Sequence, residues 1–293
     1  MRSEQEMYDL LLRTAKEDDR ILAVYMNGSR TNRNVPTDIF QDYDIVYVVE
    51  ETESFIEDKT WIDRFGERLF MQYPDEGEYP GDKHNIYGWL IQFVDGNRLD
   101  LHVETKEHAK ENILADKLCR ILLDKKGILP QIPIATDEDY WVKKPTEQQF
   151  CGACNEFWWC LDNVAKGLWR EEMPYVQDML NYCIRPELVK MLSWKIGIIT
   201  DFSCSVGKSG KYMYRWLTKE EWQRFLGTYS SGVVSDCWEA VQSMCGLMDE
   251  TAKFVGAALG FSYNEEEAEN CMAYLEHVRR LPKDAAEVYE EKK

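Results

Sequence analysis

Apolar positions along the chain fall into two textures. In the first half they come in short β-branched and aromatic runs: "ILAVYM" (21–26), "YDIVYVVE" (43–50), "RLFMQY" (68–73) and "CRILLDKKG" (119–127). Each is too short for a helix of its own and is bounded by turn residues, so each predicts a strand. Residues 85–104 predict a hairpin, two β-rich arms joined at Asp95-Gly96-Asn97. Along its second arm Arg98, Asp100 and His102 fall on one face, with Leu99, Leu101 and Val103 on the other. Met7, Leu10, Leu11 and Ala15 share a helical face over 4–18, and a further helix is expected from Phe55 to Phe65. After about residue 139 the pattern becomes long and helical. It predicts helices near 146–171, 174–198, the low 220s, 232–258 and 264–280, and Thr218-Lys219-Glu220-Glu221 has the form of a capping box. The expected fold is α+β: a mixed sheet with flanking helices over 1–138 and a helical bundle over 139–293.

Composition narrows the function classes. The chain has 293 residues, is 44% hydrophobic and 13% aromatic, and has a formal net charge of -18. Such an excess of acid repels phosphate backbones, which argues against a nucleic-acid partner and favours cationic ones. No apolar run approaches the roughly 20 residues of a membrane span, and the start "MRSEQEMYDLLLRTAKEDD" lacks the apolar core of a signal peptide. A cytoplasmic monomer is the expectation. The nine cysteines form no spaced framework. Cys151-Gly152-Ala153-Cys154 has redox or zinc spacing but no second ligand pair, so the bland reading of buried or exposed free thiols is preferred.

The chemistry concentrates in "NGSRTNRNVPTDIFQDYDIVYVVE" (27–50). Asp42 and Asp44 open a strand, and alternation puts both side chains on one side, about 7 Å apart along the backbone. Charge at the mouth of a buried strand is costly unless a cation lies against it. Asp100 comes from the polar face of another strand. If the two strands are neighbours, three carboxylates converge, and a hard cation such as Mg²⁺ is the natural partner. Ahead of them Gly28 lets backbone approach a ligand, while Ser29 and Arg30, or Arg33, offer phosphate contacts. D-x-D alone is more often a solvated turn; the order strand, Gly-Ser, loop, D-x-D, strand Asp is what raises it above that.

"NGSR", "DYDIVYVV" and "RLDLHV" resemble the nucleotidyltransferase superfamily pattern. With "DNVAKGLWREEMPYVQDMLNYCIRPELVKMLSWKIGI" and "SVGKSGKYMYRWL", the chain is similar over nearly its full length to the streptomycin-modifying aminoglycoside 6-adenylyltransferases. The resemblance implies Asp42 and Asp44 as Mg²⁺ ligands and Asp100 as the third carboxylate, acting as base or ligand. Gly28 and Ser29 would hold the triphosphate of ATP, and AMP would pass to a hydroxyl of a small cationic antibiotic. Many superfamily members carry Ser just before D-x-D, where this chain has Gln41.

The second half would then supply cations for pyrophosphate and acids for the drug. Lys208 and Lys211 lie in a basic loop that is not a Walker A motif, since Phe202 stands where its first Gly belongs; a plain solvated loop is the competing reading. Trp158, Asp162 and Trp169 recur at helical spacing, and Asp178 follows on the next helix. For any one Trp the bundle core is the commoner fate. The substrate-contact candidates are Trp158, Asp162 and Asp178. A different acceptor, or a non-catalytic nucleotide-binding module, stays open on residues alone.

Overall fold

The alternating runs of the first half close into one mixed sheet. The computed structural model describes residues 1–289 and contains β1 (Ile21–Asn27), β2 (Tyr43–Val49), β3 (Arg68–Gln72), β4 (Ile86–Phe93), β5 (Arg98–Thr105) and β6 (Cys119–Asp124). Their order across the sheet is β3-β4-β5-β2-β1-β6. The turn at 95–97 makes β4 and β5 antiparallel neighbours, with Gly96 at φ 87. β2 and β5 are the parallel pair, and Asp44 stands directly opposite Asp100 in their register. The expected convergence of those two strands therefore holds.

Alternation then divides the sheet into two faces. One is closed by α1 (Glu4–Glu17), which begins at a Ser3/Glu6 capping box and buries Met7, Leu11 and Ala15. Tyr43, Ile45, Tyr47, Leu99, Leu101 and Val103 meet it there, together with Phe55, Trp61 and Phe65. Trp61 packs edge-on to Phe55 at 4.9 Å, and the buried Tyr47 hydroxyl is satisfied by the Leu11 carbonyl at 2.7 Å. The expected helix over 55–65 is instead two short pieces, α2 (Glu53–Glu57) and a 3-10 turn at Trp61–Phe65. The break falls where the Asp58 carboxylate accepts from both the N–H and the hydroxyl of Thr60, an Asx turn that competes with the helix.

On the other face α3 (Lys106–Ala115), which the sequence pattern did not announce, sets Ala109 and Ile113 against Ala23, Tyr25, Val46 and Val48. Only those two residues of α3 are buried, so its sequence carries little amphipathic signal. The openings of β2 and β5 on this face carry Asp44 and Asp100.

From Tyr140 onward the chain forms a second compact unit, distinct from Met1–Asp139. It holds α4 (Glu147–Arg170), α5 (Met173–Asp178), a π-helical turn (Met179–Ile184), α6 (Arg185–Ile199), α7 (Lys219–Leu226), α8 (Val234–Leu259) and α9 (Glu265–Arg280). Capping boxes at Thr146/Gln149 and Thr218/Glu221 fix two of the starts. The core between the helices includes Phe157, Trp158, Leu161, Leu188, Met191, Met244 and Met248. All nine cysteines are free thiols; Cys151 is exposed and Cys154 buried on α4. No helix among the described residues is long and apolar enough to cross a membrane.

Candidate active site

Pairing across four strands places Asn27, Asp44, Asp100 and Leu90 in one row. Asp42 joins from just before β2, and ligand atoms of Asp42, Asp44 and Asp100 all lie within 4.8 Å of one another. Burial pushes the Asp44 carboxyl up to about 7, and the charges of Asp42 and Asp100 add to the effect while Arg98 and Arg30 oppose it. Burial is the larger cause, and the clustering of the three carboxylates adds to it. The donor set, three oxygen ligands on one solvent-reached edge, fits a hard divalent cation such as Mg²⁺, which keeps waters beside a few carboxylates.

Gly28 leaves β1 with φ 75, and its Cα lies against Asp44: a Cβ there would stand 2.0 Å from Asp44 Oδ2. The close approach foreseen for a ligand is thus made to the carboxylate itself. Ser29 starts a one-turn 3-10 segment, Ser29–Thr31, so its N–H is an open donor, and its hydroxyl has no partner among the described residues.

Arg30 goes elsewhere. The same turn carries it to the opposite face, where its Nε and Nη2 donate to the carbonyls of Asp42 (2.9 Å) and Gln41 (2.8 Å). Its guanidinium stacks 3.7 Å over the Tyr43 ring. Its planar fork holds the strand start. Gln41, just before D-x-D, buries its Nε2 without a partner among the described residues.

One neighbour of the trio was seen in the sequence but given no role. Arg98 sits two residues before Asp100 on the same face and grips it with both arms, Nε to Oδ1 at 2.8 Å and Nη2 to Oδ2 at 2.7 Å; its Nε lies 3.6 Å from Asp42. Further along the face come His102, which burial keeps toward the neutral form, and Glu104, fully buried. Glu104 accepts from the Tyr25 hydroxyl and the Asn112 amide and pairs with the His108 ring, so its charge is fully engaged. Continued alternation from Arg98 through 104 was the signal that could have found it.

The helical unit's candidates separate. Trp158 is 2% exposed and packs in the bundle core, edge-on to Phe157 at 4.9 Å, so its ring offers a ligand no free face. The next residue, Trp159, is 70% exposed. Asp162 is paired with Lys166 at 2.5 Å and bonded by the Tyr274 hydroxyl. Asp178, at the end of α5, is exposed and has no partner among the described residues. Lys208 and Lys211 are exposed on a tight turn containing left-handed Ser209; Lys211 Nζ lies 5.0 Å over the Tyr212 ring. Neither lysine has a carboxylate partner among the described residues.

A family model described as streptomycin adenylyltransferase matches residues 1–278. The chain is 40% identical over 268 residues to an aminoglycoside 6-adenylyltransferase of Bacillus subtilis (strain 168), covering 90% of this chain and 93% of that protein. It is also 40% identical over 263 residues to one from Campylobacter jejuni, covering 90% and 91%. With one from Staphylococcus aureus the identity is 34% over 265 residues, covering 90% and 94%.

Proposed function

The chain belongs to the streptomycin adenylyltransferase family, and we propose that its carboxylate trio moves AMP from ATP, with Mg²⁺, onto the 6-hydroxyl of streptomycin. Membership makes it an adenylyltransferase that uses a nucleotide and an aminoglycoside as substrates. The observation that carries the finer reading is the meeting of Asp42, Asp44 and Asp100 within 4.8 Å at the openings of two paired strands.

In this reading Asp42 and Asp44 hold the divalent cation. Bound there, it would supply charge neutralisation of the triphosphate and polarisation of the phosphoryl oxygens. Asp100 accepts the proton of the drug hydroxyl at a carboxylate oxygen. The drug oxygen then forms its bond to the α-phosphorus while the bond from that phosphorus to the bridging oxygen of pyrophosphate breaks. Gly28 keeps Asp44 in place, the Ser29 hydroxyl and N–H meet the phosphate chain, and Arg30 fixes the D-x-D backbone from behind. Lys208 and Lys211 would draw the leaving pyrophosphate, since both carry uncompensated charge. Asp178 is the better-placed carboxylate for a drug guanidinium, being unpaired among the described residues where that of Asp162 is matched by Lys166. The sheet unit would then be the nucleotidyltransferase domain and the helical unit the substrate domain, in a monomer acting in the cytoplasm.

Mass spectrometry of streptomycin incubated with ATP, Mg²⁺ and the protein tests the proposal. A gain of one adenylyl group is expected, absent when Mg²⁺ is chelated. An unmodified drug alongside a modified second aminoglycoside would refute streptomycin as the acceptor.

A further inference from the structure

Arg98 occupies the ground on which the proposed chemistry must happen. Its fork takes both oxygens of Asp100 and reaches toward Asp42. Among the described residues no other ammonium or guanidinium lies within 4 Å of the trio's carboxylate oxygens, and Arg98 pairs with no group outside the trio. Arg30, the other arginine nearby, is immobilised on backbone carbonyls and an aromatic ring. Arg98 is differently placed. It opens β5, its side chain is 47% exposed, and only carboxylates hold its head group.

Charge and geometry then conflict. One guanidinium cannot neutralise three carboxylates, yet its fork takes a lone pair on each oxygen of the one that must receive a proton. A divalent cation on the trio would repel the guanidinium at short range. A planar fork released from a carboxylate matches phosphate oxygens equally well, and a nucleotide bound at this edge brings them within the reach of a long side chain.

We propose that Arg98 is an exchangeable counter-ion: it neutralises Asp100 and Asp42 in the unloaded enzyme, and on loading it leaves Asp100 and transfers its guanidinium to the phosphate chain of the nucleotide. Unloaded, Arg98 offsets part of the charge the trio gathers. Loaded, it frees an Asp100 oxygen for the drug hydroxyl and adds positive charge where the pyrophosphate departs. The inference rests on the proposed assignment of the trio to metal and nucleotide.

The test uses binding and needs no aminoglycoside. Full-length parent, Arg98→Met and Arg98→Lys are titrated with Mn²⁺ alone, read by the spin resonance of the free ion. They are then titrated calorimetrically with a non-hydrolysable α,β-methylene ATP analogue in Mg²⁺. Arg98→Met should bind Mn²⁺ about tenfold more tightly and the analogue about tenfold more weakly, because it loses a competitor in one case and a contact in the other. Arg98→Lys should fall between parent and Met in both. These opposite signs are not what a structural brace would give: losing one would loosen the trio and weaken both ligands. Unchanged or weaker Mn²⁺ binding in Arg98→Met, or unchanged analogue binding, overturns the exchange. A parent that binds neither Mn²⁺ nor the analogue would instead refute the proposed function, and the exchange with it.

Discussion

On one face of the sheet Tyr43, Ile45, Leu99 and Leu101 are buried under α1; on the other, the residues that alternate with them are Asp42, Asp44, Arg98 and Asp100. The faces share strands, hydrogen bonds and register, so backbone stability is common to both. Acids on the two sides respond oppositely. Asp44 is pushed up to about 7 by burial and by its carboxylate neighbours, whereas Asp18, beside the closed core, is drawn down to about 2 by its hydrogen bond with Arg20. One carboxyl is stored without enough positive charge, and the other is fully compensated. The closed face holds the fold together, and the open face keeps carboxylates that burial and mutual charge disfavour.

The sharpest way to break this division is at two consecutive residues of β5. Asp100→Asn should cost about 10³-fold in kcat/KM for adenylyl transfer while moving the unfolding free energy by no more than about 1 kcal/mol, the scale of the half-exposed Arg98 pair it weakens. Near-parental turnover in that variant would remove Asp100 from the base role. Leu101→Ala, one residue on and 0% exposed, should lower stability by about 3 kcal/mol in urea titration and leave kcat of the folded fraction near the parental value. Equal losses of activity and stability at both positions would dissolve the distinction between the faces.

Gly28→Ala probes where the two roles meet. The new methyl would stand 2.0 Å from Asp44 Oδ2 on a backbone at φ 75. A backbone at φ 75 and ψ -159 costs a β-carbon about 1–3 kcal/mol, and displacing a group at the reaction centre by about 1 Å costs about 10²-fold in rate. Both losses should appear together, in thermal unfolding and in initial rates. A variant with parental rates would mean that Asp44 tolerates the shift.

How much of this the sequence carries depends on range. Alternation alone puts Asp42 and Asp44 on one side and Asp100 with Arg98 on another polar side, and the tight turn at 95–97 fixes the hairpin. Both are local rules, and both are matched by the strands. That β5 lies beside β2 is a tertiary fact that alternation does not contain; there the resemblance to a family filled the gap. Arg30 shows another limit of local rules. Nearness in sequence says nothing of the 3-10 turn that sets its guanidinium over the Tyr43 ring. Trp158 and Trp159 differ by about 100° around α4. Helical spacing placed Trp158 with Asp162, but only the packing of the bundle shows that this face is covered, with Cys271 of α9 bonded to the Trp158 carbonyl.

The smallest expected effect lies on the closed face and carries a pH signature. Asp18 accepts from Arg20 Nε at 2.9 Å and Nη2 at 2.6 Å and from the Trp61 indole at 3.0 Å, and its side chain is 11% exposed. Its folded carboxyl titrates below its unfolded value of 3.8, so the unfolded chain binds the proton first as pH falls. The stability it contributes is complete above about pH 4 and is lost as pH drops toward 2. Discounted for partial solvent access, the contribution is about 1–2 kcal/mol. Urea midpoints of parent and Asp18→Asn should therefore differ at pH 7, keep that difference down to about pH 4, and converge below it. A gap that stays constant to the lowest pH at which both fold would show that Asp18 acts there through shape and hydrogen bonding rather than charge, and the contrast with Asp44 would lose its electrostatic basis.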